Sequence, residues 1–97
     1  MKNNDIAILY IKDELMDMKM PNPWFKRYPG YFRQYSYTKW AYTECIRTIR
    51  ENPNQAPLVS INELYDKFDR FSCNGERAIM FSVAKDAVEN IIDMLIC

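Results

Sequence analysis

Ser60-Ile61-Asn62-Glu63-Leu64-Tyr65-Asp66-Lys67-Phe68-Asp69-Arg70-Phe71 is the stretch that decides the fold class. Ile61, Leu64, Tyr65, Phe68 and Phe71 recur at i, i+3, i+4, i+7 and i+10, the spacing of one face of an α-helix. Asp66, Lys67, Asp69 and Arg70 fill the remaining positions, so the apolar face is sharply bounded. Ser60 and Glu63 stand as a capping box, which places the helix start at Ser60. Asn74 and Gly75 tolerate the left-handed conformation of a C-terminal cap and mark its end.

The same period extends outward in both directions. Downstream, a helix from about Glu76 carries Met80, Ala84, Ala87, Val88, Ile91 and Leu95 as a core stripe, with Asp86, Glu89 and Asp93 opposite. Phe81, Ile92 and Ile96 widen that stripe, so this helix is either central to the fold or partly covered by a second chain. Ala84 and Ala87 would let another helix approach closely. Upstream, Ser36 is a good N-cap for a helix reaching about Glu51, with Thr38, Tyr42, Cys45, Ile46 and Ile49 on one face and Trp40 nearly opposite. Asn52 and Pro53 end it, and Pro57 keeps the next connection open. A first helix, capped by Asn4 or Asp5 and running to Met18, aligns Ala7, Ile8, Ile11, Leu15 and Met18; a short strand over Ile6–Ile11 is the alternative.

Residues 19–35 break the pattern. Pro21, Pro23, Pro29 and Gly30 oppose one long regular element. Trp24, Phe25, Tyr28, Tyr31, Phe32 and Tyr35 place six aromatics in twelve positions, interleaved with Lys26, Arg27 and Arg33. The segment reads as an ordered loop. The expected fold is therefore mainly α: a single domain over 1–97, built as a compact bundle of about four helices with an ordered Pro- and aromatic-rich loop between helices one and two.

Composition narrows the function. The chain has 97 residues, 48% hydrophobic and 27% charged, ordinary values for one globular domain. Formal net charge is zero but unevenly spread: −2 over residues 1–17, +6 over 18–50, −1 over 51–62 and −3 over 63–97. A dipolar molecule of this kind steers anionic patches toward its middle segment. Cys45, Cys73 and Cys97 form neither a disulfide framework nor a zinc pattern and read as reduced thiols. No stretch approaches a membrane span or a signal-peptide core, so the cytoplasm of the host cell is the expected location.

The sequence holds no histidine, which removes the commonest general base and most zinc and iron sites. With only Gly30 and Gly75, no phosphate-binding glycine loop can be written. The carboxylates of the last two helices lie opposite apolar stripes, where a solvated face is expected. No catalytic residue, metal site or cofactor emerges, and the expectation is a protein that binds rather than catalyses. The candidate binding residues are Trp24, Lys26, Arg27, Tyr28, Tyr31, Arg33, Lys39 and Trp40. Trp, Tyr and Arg are enriched in protein interfaces, and aromatic rings beside cations also suit single-stranded nucleic acid. The structural alternative is a lid whose rings fill the bundle. Trp40 has to be covered by the 19–35 segment or by a partner.

Two pieces, Tyr37-Thr38-Lys39-Trp40-Ala41 with Glu44-Cys45-Ile46, and Phe81-Ser82-Val83-Ala84-Lys85-Asp86 leading to Ile91-Ile92-Asp93-Met94-Leu95-Ile96, together with the third helix, resemble small uncharacterised proteins encoded by phages and integrative elements of Firmicutes. The resemblance covers about residues 36–97. It implies a context rather than an activity: such proteins often bind and inhibit a host enzyme or a defence system, including CRISPR nucleases. It implies a host or defence-system protein as partner. The remaining alternatives are an accessory nucleic-acid binder and an assembly protein that forms a homodimer through the last helix.

Overall fold

A computed structural model describes residues 2–18, 29–73, 75 and 77–96. Four helices follow in order: α1 (Lys2–Asp17), α2 (Pro29–Glu51), α3 (Pro57–Phe71) and α4 (Ala78–Ile96). The described residues contain no strand, so the helical reading of Ile6–Ile11 holds. Asn4 Nδ2 donates to the Pro53 carbonyl oxygen at 3.0 Å, which sets the start of α1 beside the end of α2. Trp40 of α2 meets Phe68 near the end of α3 and Phe81 near the start of α4. The helices therefore run up, down, up, down, with one pole at the α2–α3 turn and the other at the α3–α4 turn.

α4 lies at the centre, packed mainly on α3 and α2, while α1 packs chiefly on α2. Ala84, Ala87, Val88 and Ile91 of α4 are buried, as are Ile61, Leu64 and Phe68 of α3, Ala41, Tyr42, Cys45, Ile46 and Ile49 of α2, and Ala7 and Ile11 of α1. The 3.6-residue period thus identified the core face of every helix. Ala84 and Ala87 do permit close approach, but the neighbours they admit are helices of the same chain. Each fully buried Ile or Val contributes roughly 1.5–3 kcal/mol by leaving water.

Three helix ends differ from the sequence expectation, each for a local reason. α2 begins at Pro29 rather than Ser36, so the loop expected over 19–35 is helical from Pro29 onward. Proline at a first helical position costs no hydrogen bond, because that N–H has no partner inside the helix, and its fixed φ already suits the helix. Pro57 does the same for α3, which starts there and not at Ser60; Ala56 before it is extended, with φ −61° and ψ 140°. The capping box is consequently not formed. Ser60 is buried within the helix and its hydroxyl donates to Gln55 Oε1 at 2.8 Å, while Gln55 Nε2 donates to Glu63 Oε1 at 3.1 Å. The two residues that looked like a cap instead clamp Gln55 of the preceding turn.

At the other end of α3, the cap is not a glycine. Ser72 N–H donates to the Phe68 and Asp69 carbonyls, and the Ser72 hydroxyl adds a 2.7 Å bond to Asp69. Gly75 does adopt a positive φ, +103°, but it does so in the α3–α4 connection, where its carbonyl oxygen accepts from Ala78 N–H as α4 begins. No helix among the described residues is long and apolar enough to cross a membrane.

Candidate functional site

α2 is the longest helix. Its 23 residues span about 34 Å, against about 22 Å for the 15 residues of α3. α3 and α4 cover the C-terminal half of α2. The excess length lies at the N-terminal end, before Trp40. Arg33, Gln34, Ser36 and Lys39 are exposed there, and Tyr35, Tyr37, Thr38 and Trp40 are half-buried; the first buried residue is Ala41. This half of α2 projects from the bundle as a basic, aromatic helix. Lys39 Nζ lies 6.0 Å from the centre of the Tyr35 ring, at the reach of a cation–π contact.

Trp40 is covered neither by the 19–35 loop alone nor by a separate partner. Its ring stacks on Phe68 with centroids 5.2 Å apart and meets Phe81 edge-on at 6.1 Å. Phe81 also packs against Phe68 at 5.7 Å and Phe71 at 5.1 Å. Such pairs prefer offset or edge-to-face arrangements and add to the burial of ring surface. Trp40 therefore anchors the base of the projecting half, tying α2 to α3 and α4.

Of the residues singled out in the sequence, Arg33 and Lys39 present their charges to solvent on this helix, and Tyr31 lies in its first turn. Trp24, Lys26, Arg27 and Tyr28 lie outside the described residues. The positive character of the middle segment is not uniform. Arg47 is held by two acids of its own helix: Nε donates to Glu44 Oε2 at 2.8 Å and Nη1 to Glu51 Oε1 at 3.3 Å, with a second guanidinium nitrogen also on Glu44. The hydrogen bond with Glu44 raises its pKa. Arg33 and Lys39 lie apart from these acids by two or more helical turns.

The thiols divide sharply. Cys45 is fully buried and burial pushes its pKa up to about 12, whereas Cys73 is exposed. A raised pKa removes the thiolate that nucleophilic chemistry needs. Tyr42 beside it on the core face is also shifted up by burial. Among the described residues, no group of three or more acids and thiols is placed to hold a metal ion.

One surface escaped the sequence reading. Ile6, Ala7 and Tyr10 of α1, Ala56 to Leu58 at the start of α3, and Met94 and Leu95 at the end of α4 line an open groove of about 350 Å³. Ile6 and Tyr10 are about half exposed on its wall, and Leu9 and Met16 continue the apolar outer surface along α1. The signal was present: α1 carries Ile6, Leu9 and Tyr10 in addition to its core stripe, more apolar side chains than one face requires.

Comparison with protein-family models, with curated proteins and with solved structures finds no match to this chain.

Proposed function

We propose that the chain is a non-enzymatic binding protein of a phage or mobile element, which inhibits a host or defence protein, such as a CRISPR-Cas effector, by covering part of its surface. The observation that carries this reading is the projecting half of α2. A cationic helix with Tyr35 and Tyr37 half-covered and Arg33 and Lys39 free of acidic partners has the composition that dominates protein interfaces. It is anchored by the Trp40 cluster, so it is presented at low entropic cost. Preorganisation of this kind leaves more of the contact energy for affinity.

The inhibitory role and its context rest on the resemblance of residues 36–97 to phage and integrative-element proteins. The absence of histidine and of a glycine loop from the sequence supports action without chemistry. Nucleic acid is the second reading, favoured by the Lys39–Tyr35 pair, since rings stack on bases and cations neutralise phosphates.

The test is affinity capture from lysate of a bacterial host, with tagged wild-type protein beside the double variant R33E/K39E. A protein retained stoichiometrically by the wild type and lost by the variant supports the proposal. Equal recovery by both, or no stoichiometric partner, contradicts it. A mobility shift with single-stranded DNA or RNA that fades steeply with salt and is absent from R33E/K39E would transfer the role to nucleic acid.

A further inference from the structure

We propose that the groove between α1, α3 and α4 receives the projecting half of α2 from a second copy of this chain, so that two copies pair antiparallel and make the same contact twice. Four observations meet in this assignment. The groove is lined entirely by uncharged residues, with Ile6 and Tyr10 left 47% and 50% exposed. Continuous apolar surface of this sort on a soluble helix marks an interaction site rather than chance exposure. Ile96, 66% exposed, follows Leu95 at the same end of α4 and extends the apolar surface.

The charges around the groove are acidic. Asp5 precedes Ile6, Asp13 lies one turn beyond Tyr10 on the same face of α1, and Asp93 precedes Met94; all three are exposed. Lys12 points elsewhere, into the cleft between α1 and α2 with Leu15, Thr43 and Ile46. The projecting half of α2 offers the opposite chemistry, with Arg33 and Lys39 exposed and Tyr35 and Tyr37 between them. A helix with apolar anchors lying in an apolar groove is a recurrent mode of recognition, and opposite charges set its orientation.

The topology makes the pairing self-complementary. The groove lies at the pole where α1 starts and α2 ends, while the projecting half lies at the opposite pole. Two copies side by side and antiparallel bring each donor helix to the other's groove, which closes the assembly as an isologous dimer. The contact does not depend on the proposed inhibitory role, and it is measured on the purified protein alone.

Analytical ultracentrifugation under reducing conditions, which removes links through Cys73, tests the pairing. Wild-type protein is expected to shift from monomer to dimer as concentration rises and to dissociate as salt is added. I6E/Y10E and R33E/K39E are each expected to weaken dimerisation by roughly tenfold or more, with helical circular dichroism retained. D5K/D13K mixed with R33E/K39E is expected to recover association that neither variant shows alone, because the mixture restores one opposite-charge contact. A wild type that stays monomeric at the highest concentration overturns the proposal, as does open-ended growth into larger species. Dimers that persist unchanged in I6E/Y10E or in R33E/K39E overturn it as well.

Discussion

From Ala41 to Ile49, α2 buries Ala41, Tyr42, Cys45, Ile46 and Ile49; from Arg33 to Lys39, the same helix buries no residue. The C-terminal half is held by tertiary packing against α1, α3 and α4. The N-terminal half is held as helix by continuity with it and by the Trp40 cluster at its base. Isolated helices of this length are marginal in water, so most of their stability comes from an apolar face packed elsewhere. One helix thus divides its sequence between holding the fold and presenting a surface. Mutations in the two halves are expected to separate accordingly.

The largest loss of stability is expected in the packed half. Ile49→Ala removes a side chain that is 1% exposed and should cost about 2–5 kcal/mol, read from chemical denaturation. A loss under 1 kcal/mol would break the comparison at its firmer end. Trp40→Ala, at the boundary, should cost about 2 kcal/mol, less than a fully buried ring, because the indole is only half covered. Its thermal midpoint should fall by about 4–8 °C for each kcal/mol lost.

Alkaline pH should act on the packed half alone. The Cys45 thiol ordinarily titrates at 9.0 and is pushed up to about 12 in the folded chain, chiefly by burial. Between those values the unfolded chain releases a proton that the folded chain keeps. This contribution is complete below pH 9 and is lost as pH rises toward 12, at about 1.4 kcal/mol per pH unit. The burial-raised Tyr42 acts in the same direction. Denaturation of wild type and Cys45→Ala, measured in parallel, should show the wild type losing stability faster over that range. Iodoacetamide should label Cys73 in the folded protein and leave Cys45 unmodified; rapid labelling of Cys45 would show that the core face opens.

Smaller effects sharpen the comparison. Ser60→Ala removes the hydroxyl that binds Gln55 and should cost about 1 kcal/mol. The least change belongs to the projecting half: R33E/K39E should alter stability by about 0.5 kcal/mol or less, since both side chains are exposed. A larger loss would mean that this half of α2 carries part of the fold.

The core faces were legible because burial follows period. Val88 and Ile91 of α4 and Leu64 and Phe68 of α3 sit where the spacing puts them. Helix starts were less legible, because proline has two meanings. Pro29 and Pro57 read as breaks, yet each opens a helix, and only the surrounding packing distinguishes the two uses. Ser60 and Glu63 satisfied the capping pattern while serving Gln55, a contact from the turn before the helix that no local pattern encodes. The same limit applied to Trp40, whose cover of Phe68 and Phe81 comes from positions 28 and 41 residues away. The groove was hidden for a related reason: its walls come from three helices, and the spare apolar residues of α1 were its only local sign.

Amide hydrogen exchange along α2, measured on the free protein and again in complex with the captured partner, tests the division most directly. In the free protein, amides from Thr43 to Arg50 should exchange only through global unfolding, and those from Arg33 to Lys39 much faster. In the complex, new protection should concentrate at Arg33 to Lys39 and leave the packed half unchanged. Equal protection of both halves in the free protein, or new protection that spares residues 33–39, would contradict the account.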